Sequence, residues 1–140
     1  MTGGQDHPAS GKTLCGEDAP KLDLAALAKA VGVEDVLVVD PYDLDALEKA
    51  LRYAVRTGKP SVVIAQRACV LTDRTSRRTP PVVDAENCNG CGLCLRIGCP
   101  AIESLGEGDK SKALINADLC TGCDVCIQVC RLGAITREQE

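Results

Sequence analysis

The 140-residue sequence has no phenylalanine, no tryptophan and only two tyrosines, Tyr42 and Tyr53. Without large rings the core has to be built from leucine, valine, isoleucine and alanine, and base stacking on aromatic side chains has almost nothing to use. No apolar run approaches the roughly 20 residues that cross a bilayer. Residues 1–10 also lack the apolar stretch of a secretory leader. The chain therefore reads as soluble and cytoplasmic, in a compartment that keeps thiols reduced. Basic residues are scarce in the second part: residues 81–140 carry 5 basic and 9 acidic side chains, whereas residues 1–80 carry 11 of each. Such a balance opposes nucleic acid and anionic membranes and suits a basic protein partner.

Cysteine, by contrast, is abundant. Eight of the ten cysteines form two near-copies of one phrase. The first is Cys88-Asn-Gly-Cys91-Gly-Leu-Cys94, then four residues, then Cys99-Pro100. The second is Cys120-Thr-Gly-Cys123-Asp-Val-Cys126, then three residues, then Cys130. Three thiolates at this spacing converge on one point when the backbone wraps around it, and the fourth is directed towards a second site. This is the two-cluster ferredoxin run, in which the fourth cysteine ligates the other cluster. The expected ligand sets are thus Cys88, Cys91, Cys94 and Cys130 for one [4Fe–4S] cluster, and Cys120, Cys123, Cys126 and Cys99 for the other. A zinc ribbon gains nothing from the third cysteine of each copy, and a disulfide framework needs an oxidising compartment. Gly90, Gly92 and Gly122 suit loops in which backbone N–H groups approach inorganic sulfide, and also suit tight turns. Two features depart from the usual run: the four-residue gap before Cys99, and Arg131 where proline usually follows the last cysteine.

The cysteine-rich part is an internal repeat, with offsets of 32 (Cys88 to Cys120), 31 (Cys99 to Cys130) and 33 (Ala101 to Ala134). In each copy an extended segment, 81–84 or 114–116, leads into the cysteine loop. A short helix carrying the third and fourth cysteines closes the loop, and strands at 101–105 and 132–137 complete a small α+β fold.

The earlier part has a different period. Leu24, Leu27, Ala28 and Val31 mark an amphipathic helix capped by Asp23, and Leu44, Leu47, Leu51, Ala54 and Val55 mark a second one capped by Asp43. Val36–Val39 and Val62–Ala65 read as strands buried on both faces of a parallel sheet. Together they give an α-β-α-β order. Two strands are few for such a sheet, so the segment reads as the end of a larger α/β domain. Residues 73–80 read as a linker between parts 1–72 and 81–140. Cys15 and Cys69, outside the repeat, are expected to be buried thiols.

The opening Met1-Thr-Gly-Gly-Gln-Asp-His-Pro-Ala-Ser-Gly-Lys-Thr13, then Gly16-Glu-Asp-Ala-Pro20, Asp40-Pro-Tyr-Asp43 and Pro60-Ser-Val-Val-Ile64, resembles the C-terminal end of the alpha subunit of indolepyruvate ferredoxin oxidoreductase when followed by a two-cluster module. The resemblance covers essentially the whole chain, and the four-residue gap before Cys99 belongs to it. It implies a thiamine-diphosphate-binding Rossmann-like domain end, followed by the dicluster ferredoxin domain. It further implies an enzyme that decarboxylates aryl 2-oxoacids to aryl-acetyl-CoA with ferredoxin as acceptor, aided by a smaller partner subunit and using coenzyme A, thiamine diphosphate and Mg²⁺. Thr2, Gly3 and Gly4 match a loop that lines the thiamine site of the complete enzyme, and a role for His7 as catalytic base rests on the resemblance alone. The Gly-Asp-Gly element that holds Mg²⁺ and the diphosphate does not occur in this sequence; it is expected just before Met1. The chain thus reads as part of an oxidoreductase subunit, not catalytically competent alone. The alternative is a self-sufficient ferredoxin-type electron carrier with an α/β docking remnant.

Overall fold

The computed structural model describes residues 6–71, 73, 78–106 and 111–137. The chain divides into two compact units, Met1–Thr75 and Ser76–Glu140. The first contains α1 (Leu24–Ala30), β1 (Asp35–Val39), α2 (Leu44–Arg56) and β2 (Ser61–Ala65). Asp23 caps α1 by accepting from the amides of Ala25 and Ala26, both at 2.9 Å, and Asp43 caps α2 through the amide of Ala46 at 3.0 Å. Each cap satisfies donors that the first turn of a helix leaves unpaired. Strands β1 and β2 pair in parallel, in register from Asp35 with Ser61 to Val39 with Ala65, and both helices pack on them.

Burial in this unit differs from the helical pattern of the sequence. Ala50 is the buried residue of α2, with Leu47 and Ala54 half-buried beside it, while Leu51 and Val55 are exposed. In α1 it is Ala25 and Ala28 that are half-buried, and Leu24, Leu27 and Val31 are exposed. A two-stranded sheet is wide enough for one row of close contacts. Alanine lets a helix backbone approach closely, and Ala25, Ala28, Ala50 and Ala54 share the covered sides with Leu44 and Leu47, while Leu24, Leu27, Leu51 and Val55 lie exposed. Val38, expected inside, is 51% exposed. Cys15 and Cys69 are exposed, which corrects their expected burial. Both lie on connections: Cys15 sits in a turn closed by Gly16 N to Thr13 O at 3.0 Å and by the Lys12–Asp18 ion pair, and Cys69 follows β2.

The second unit contains β3 (Val82–Val83), β4 (Ile102–Leu105), β5 (Lys112–Ile115), α3 (Val125–Val129) and β6 (Ile135–Thr136). Its strands exchange partners between the two copies of the repeat. β3, which leads into the first cysteine loop, pairs with β6, which follows the second; β4, which follows the first loop, pairs with β5, which leads into the second. Both pairings are antiparallel and each is extended by an equivalent bond, from Asp84 N to Ala134 O and from Asn116 N to Ala101 O, both 2.8 Å. Ala101 and Ala134 are each 1% exposed. Cys94, Cys126 and Ile135 form the centre of the core, with Val83, Ile102, Ile115 and Ile127 packed around it.

Three details differ from the sequence reading. In the first copy Cys94 and Cys99 flank a single 3-10 turn, Leu95–Ile97, instead of lying on a helix. The extra residue of the gap is Gly98, whose left-handed φ of 70° ends that turn. In the second copy Cys126 lies on α3 and Cys130 at its C-cap. The last strand is only Ile135–Thr136, because its partner β3 offers two residues.

The exposed apolar residues of the first unit generate a test. Leu27→Lys and Val55→Lys should each alter unfolding free energy by less than about 0.5 kcal/mol, and each should reduce binding of an apolar fluorescent dye.

Candidate metal centre

Each cysteine loop is entered through the same turn. Asp84 Oδ1 accepts from Glu86 N at 2.8 Å, and Asn116 Oδ1 accepts from Asp118 N at 3.1 Å. The next contact is also repeated, from Cys88 N to Asp84 O at 2.9 Å and from Cys120 N to Asn116 O at 3.1 Å. The amides of Glu86 and Asn87 hold the Asp84 carboxyl below its ordinary range. Asp and Asn are the residues whose side chains close such turns on their own backbone.

Within the loops the backbone repeats a left-handed conformation at alternate positions: Gly90 (φ 74°) and Gly92 (φ 70°) in the first, Gly122 (φ 70°) and Asp124 (φ 64°) in the second. Cys91 and Cys123, between them, have negative φ. Alternation of this kind turns successive N–H groups towards one concave side, the anion-binding nest found at many iron–sulfur sites. Gly122 N also donates to Cys120 Sγ at 3.4 Å. Glycine at 122 is required twice over, since a Cβ there would collide with the carbonyl of Arg78 as well as strain the backbone.

Cys88, Cys91, Cys94 and Cys130 line one cavity, together with Leu93, Leu95 and Ile135. Electrostatics group the thiols in the same way. The Cys94 thiol is pushed up by burial and by the negative charge that Cys88 and Cys130 carry when ionised. The Cys126 thiol is pushed up to about 11 by burial and by Cys123 and Cys120. Both shifts favour the protonated thiol in the bare chain, so metal loading has to release protons and is favoured as pH rises. Cys99 lies outside that cavity's lining and is half-buried, two residues before the Ala101 carbonyl that binds the entrance of the second loop. None of the ten cysteines is in a disulfide. Among the described residues no group of three His, Cys, Asp or Glu side chains is disposed to hold a single metal ion. The donor set fits a cluster: four thiols on an apolar cavity wall, with the Gly122 amide donating to a cysteine sulfur in the second loop, while the Cys91 amide of the first is held by Asn89 Oδ1 at 3.1 Å.

Thr2, Gly3 and Gly4 lie outside the described residues. His7 is exposed in an opening turn, where its Nδ1 accepts from Ala9 N at 3.2 Å and its amide donates to Ser10 Oγ at 3.1 Å. The sequence reading missed Asp124 and Arg137. Asp124 receives Arg137 at Oδ1 (2.5 Å) and Oδ2 (3.3 Å), and Arg78 at Oδ2 (3.2 Å). The available signal was the charged Asp124 standing in the repeat where Gly92 stands in the first copy.

Comparison with known proteins finds relatives for both parts of the chain. Residues 80–131 match the family model of the 4Fe-4S dicluster domain, and residues 1–65 match that of the thiamine pyrophosphate enzyme C-terminal TPP binding domain. Indolepyruvate oxidoreductase subunit IorA of Pyrococcus horikoshii is 35% identical, over 100% of this chain and 22% of its own length. The IorA subunit of Methanothermobacter marburgensis is 35% identical over 99% of this chain and 22% of its own length. The chain is a homologue of the C-terminal region of IorA. It spans about a fifth of the length of these IorA relatives. A ferredoxin of Thermococcus litoralis is 36% identical, over 40% of this chain and 93% of its own length. No solved structure gives a significant match. Among the described residues no helix is long and apolar enough to cross a membrane.

In this IorA homologue, Gly122→Ala should lower the iron content, through the Arg78 collision, more than Gly92→Ala, where a Cβ meets no atom within 4 Å. Iron analysis of the two purified proteins checks the order.

Proposed function

We propose that the chain binds two [4Fe–4S] clusters with crossed ligation and passes electrons through them as part of an indolepyruvate, or aryl 2-oxoacid, ferredoxin oxidoreductase. One cluster takes Cys88, Cys91, Cys94 and Cys130, and the other takes Cys120, Cys123, Cys126 and Cys99. The observation that carries the reading is that Cys130, from the second copy, lines the same cavity as the three cysteines of the first loop. The strand exchange supports it as well. β6 follows Cys130 and pairs with β3, which leads to Cys88, while β4 follows Cys99 and pairs with β5, which leads to Cys120.

In the complete enzyme, thiamine diphosphate with Mg²⁺ supplies the electron sink for decarboxylating the 2-oxoacid. Coenzyme A receives the aryl-acetyl group, a smaller subunit completes the assembly, and ferredoxin takes the electrons. Within this chain the cysteine thiolates hold the irons, and the loop amides and the apolar wall tune the affinity for an added electron. The same reading carries Thr2, Gly3 and Gly4 over, from the resemblance of residues 1–13, as thiamine-site loop residues of the complete enzyme. The segment 1–72 then contributes the end of the thiamine-binding domain, 73–80 the linker and 81–140 the electron path. A second reading, a free-standing electron carrier, is favoured by the likeness to a ferredoxin over 93% of that protein's length.

Anaerobically purified chain should be brown, hold about eight iron and eight sulfide per molecule, and lose visible absorbance with dithionite. Zinc in place of iron overturns the reading. Cys130→Ser should perturb the spectrum of the cluster that Cys91→Ser perturbs, and Cys99→Ser that of Cys123→Ser. The reverse pattern rejects crossed ligation. Reduction of ferredoxin by indolepyruvate and coenzyme A, once the thiamine-binding portion and partner subunit are supplied, separates the enzyme part from the carrier.

A further inference from the structure

Arg137 closes a clasp over the second cysteine loop that, among the described residues, has no counterpart over the first. Its guanidinium grips the Asp124 carboxylate through Nη2 (2.5 Å) and Nε (3.3 Å), and Nη2 also donates to Gly122 O at 3.1 Å. Nη1 donates to Thr79 O at 2.7 Å. Arg78 adds a second cation to Asp124 at 3.2 Å. Arg137 and Asp124 are mostly shielded, with side chains 28% and 22% exposed, so solvent screens this pair less than an open surface one. By the repeat offsets of 33 and 32, Ser104 and Gly92 occupy the corresponding places in the first copy, and neither carries charge.

The clasp reaches the metal ligands through the backbone. Gly122 C=O and Cys123 N–H belong to one planar peptide group, so donation to the oxygen polarises the N–H of a ligand residue. An added electron makes a cluster more negative, and both a nearby cation and a strengthened N–H donor favour that state. The first loop has the same left-handed turns but no charged group at the two corresponding places.

We propose that Arg137 is a positioning residue that raises the reduction potential of the cluster held by Cys120, Cys123, Cys126 and Cys99, with Asp124 opposing it. The inference rests on the dicluster reading above. It makes the two clusters inequivalent through a local charge arrangement instead of through their ligands, which are cysteine in both.

The test is a redox titration of the anaerobic iron-loaded chain, followed by electron paramagnetic resonance, on wild type, Arg137→Gln and Asp124→Asn. Asparagine also tolerates the left-handed backbone at 124, so this variant keeps the turn. Arg137→Gln should move one reduction wave to lower potential, and Asp124→Asn should move the same wave to higher potential. That wave should belong to the cluster whose spectrum Cys123→Ser alters. General loosening of the loop would shift the wave in the same direction in both variants. A common direction, no shift, or a shift confined to the cluster altered by Cys91→Ser overturns the proposal. If Arg137→Gln does not retain iron, Asp124→Asn decides alone, an upward shift supporting the proposal and any other result rejecting it. Wild-type chain without two clusters would instead overturn the dicluster reading itself.

Discussion

Two backbone hydrogen bonds, from Asp84 N to Ala134 O and from Asn116 N to Ala101 O, tie each cysteine loop to the chain end leaving the other. Buried amide and carbonyl groups have to find partners, and β3 and β6, with two residues each, offer few others. The alanines that supply these carbonyls are 1% exposed, so the crossing point admits a methyl group and little more. Without this exchange Cys130 would not be drawn to the cavity of Cys88, Cys91 and Cys94. The cavity, the thiols that line it and the buried Cys94 and Cys126 all depend on it.

The cysteine phrase and the strand positions were legible in the sequence because their causes are local. Cys-x-x-Cys-x-x-Cys fixes a loop through short-range spacing, and the repeat offsets place equivalent strands. Asp23 and Asp43 cap their helices as the pattern implied, because a cap needs only its own first turn. What the sequence did not reveal depends on contacts between distant residues. Of the helix stripes, Ala28, Leu44, Leu47 and Ala54 are covered, whereas Leu24, Leu27, Val31, Leu51 and Val55 stay exposed, because the width of a two-stranded sheet decides how much of each stripe it covers. Arg137 meets Asp124 and Thr79 only after β6 has paired, so no spacing rule picks it out. The exposure of Cys15 and Cys69 likewise follows from their places on connections, whereas the expectation of burial came from residue type.

The two units settle their stability by different means. The second is small, and its central cluster includes two cysteines, Cys94 and Cys126, so two of the thiols proposed as cluster ligands also belong to the packed core. The first has conventional elements with satisfied caps and a regular parallel register, yet Ala50 is its one buried hydrophobic among the described residues. Several of its larger apolar side chains, Leu24, Leu27, Val31, Leu51 and Val55 among them, remain exposed. Apolar surface of that extent is what a further layer of protein would cover.

The strand exchange also bears on ancestry. A single copy of the repeat, taken alone, would have a strand before its loop and another after it, with neither able to pair as it does here. Its fourth cysteine would have no loop to complete. Two identical copies related by a twofold axis would satisfy both needs, each lending its last strand and last cysteine to the other. Joining two such copies end to end would reproduce the strand exchange seen in this chain. In one chain the two copies need not stay identical, and here Asp124 stands where the first copy has Gly92.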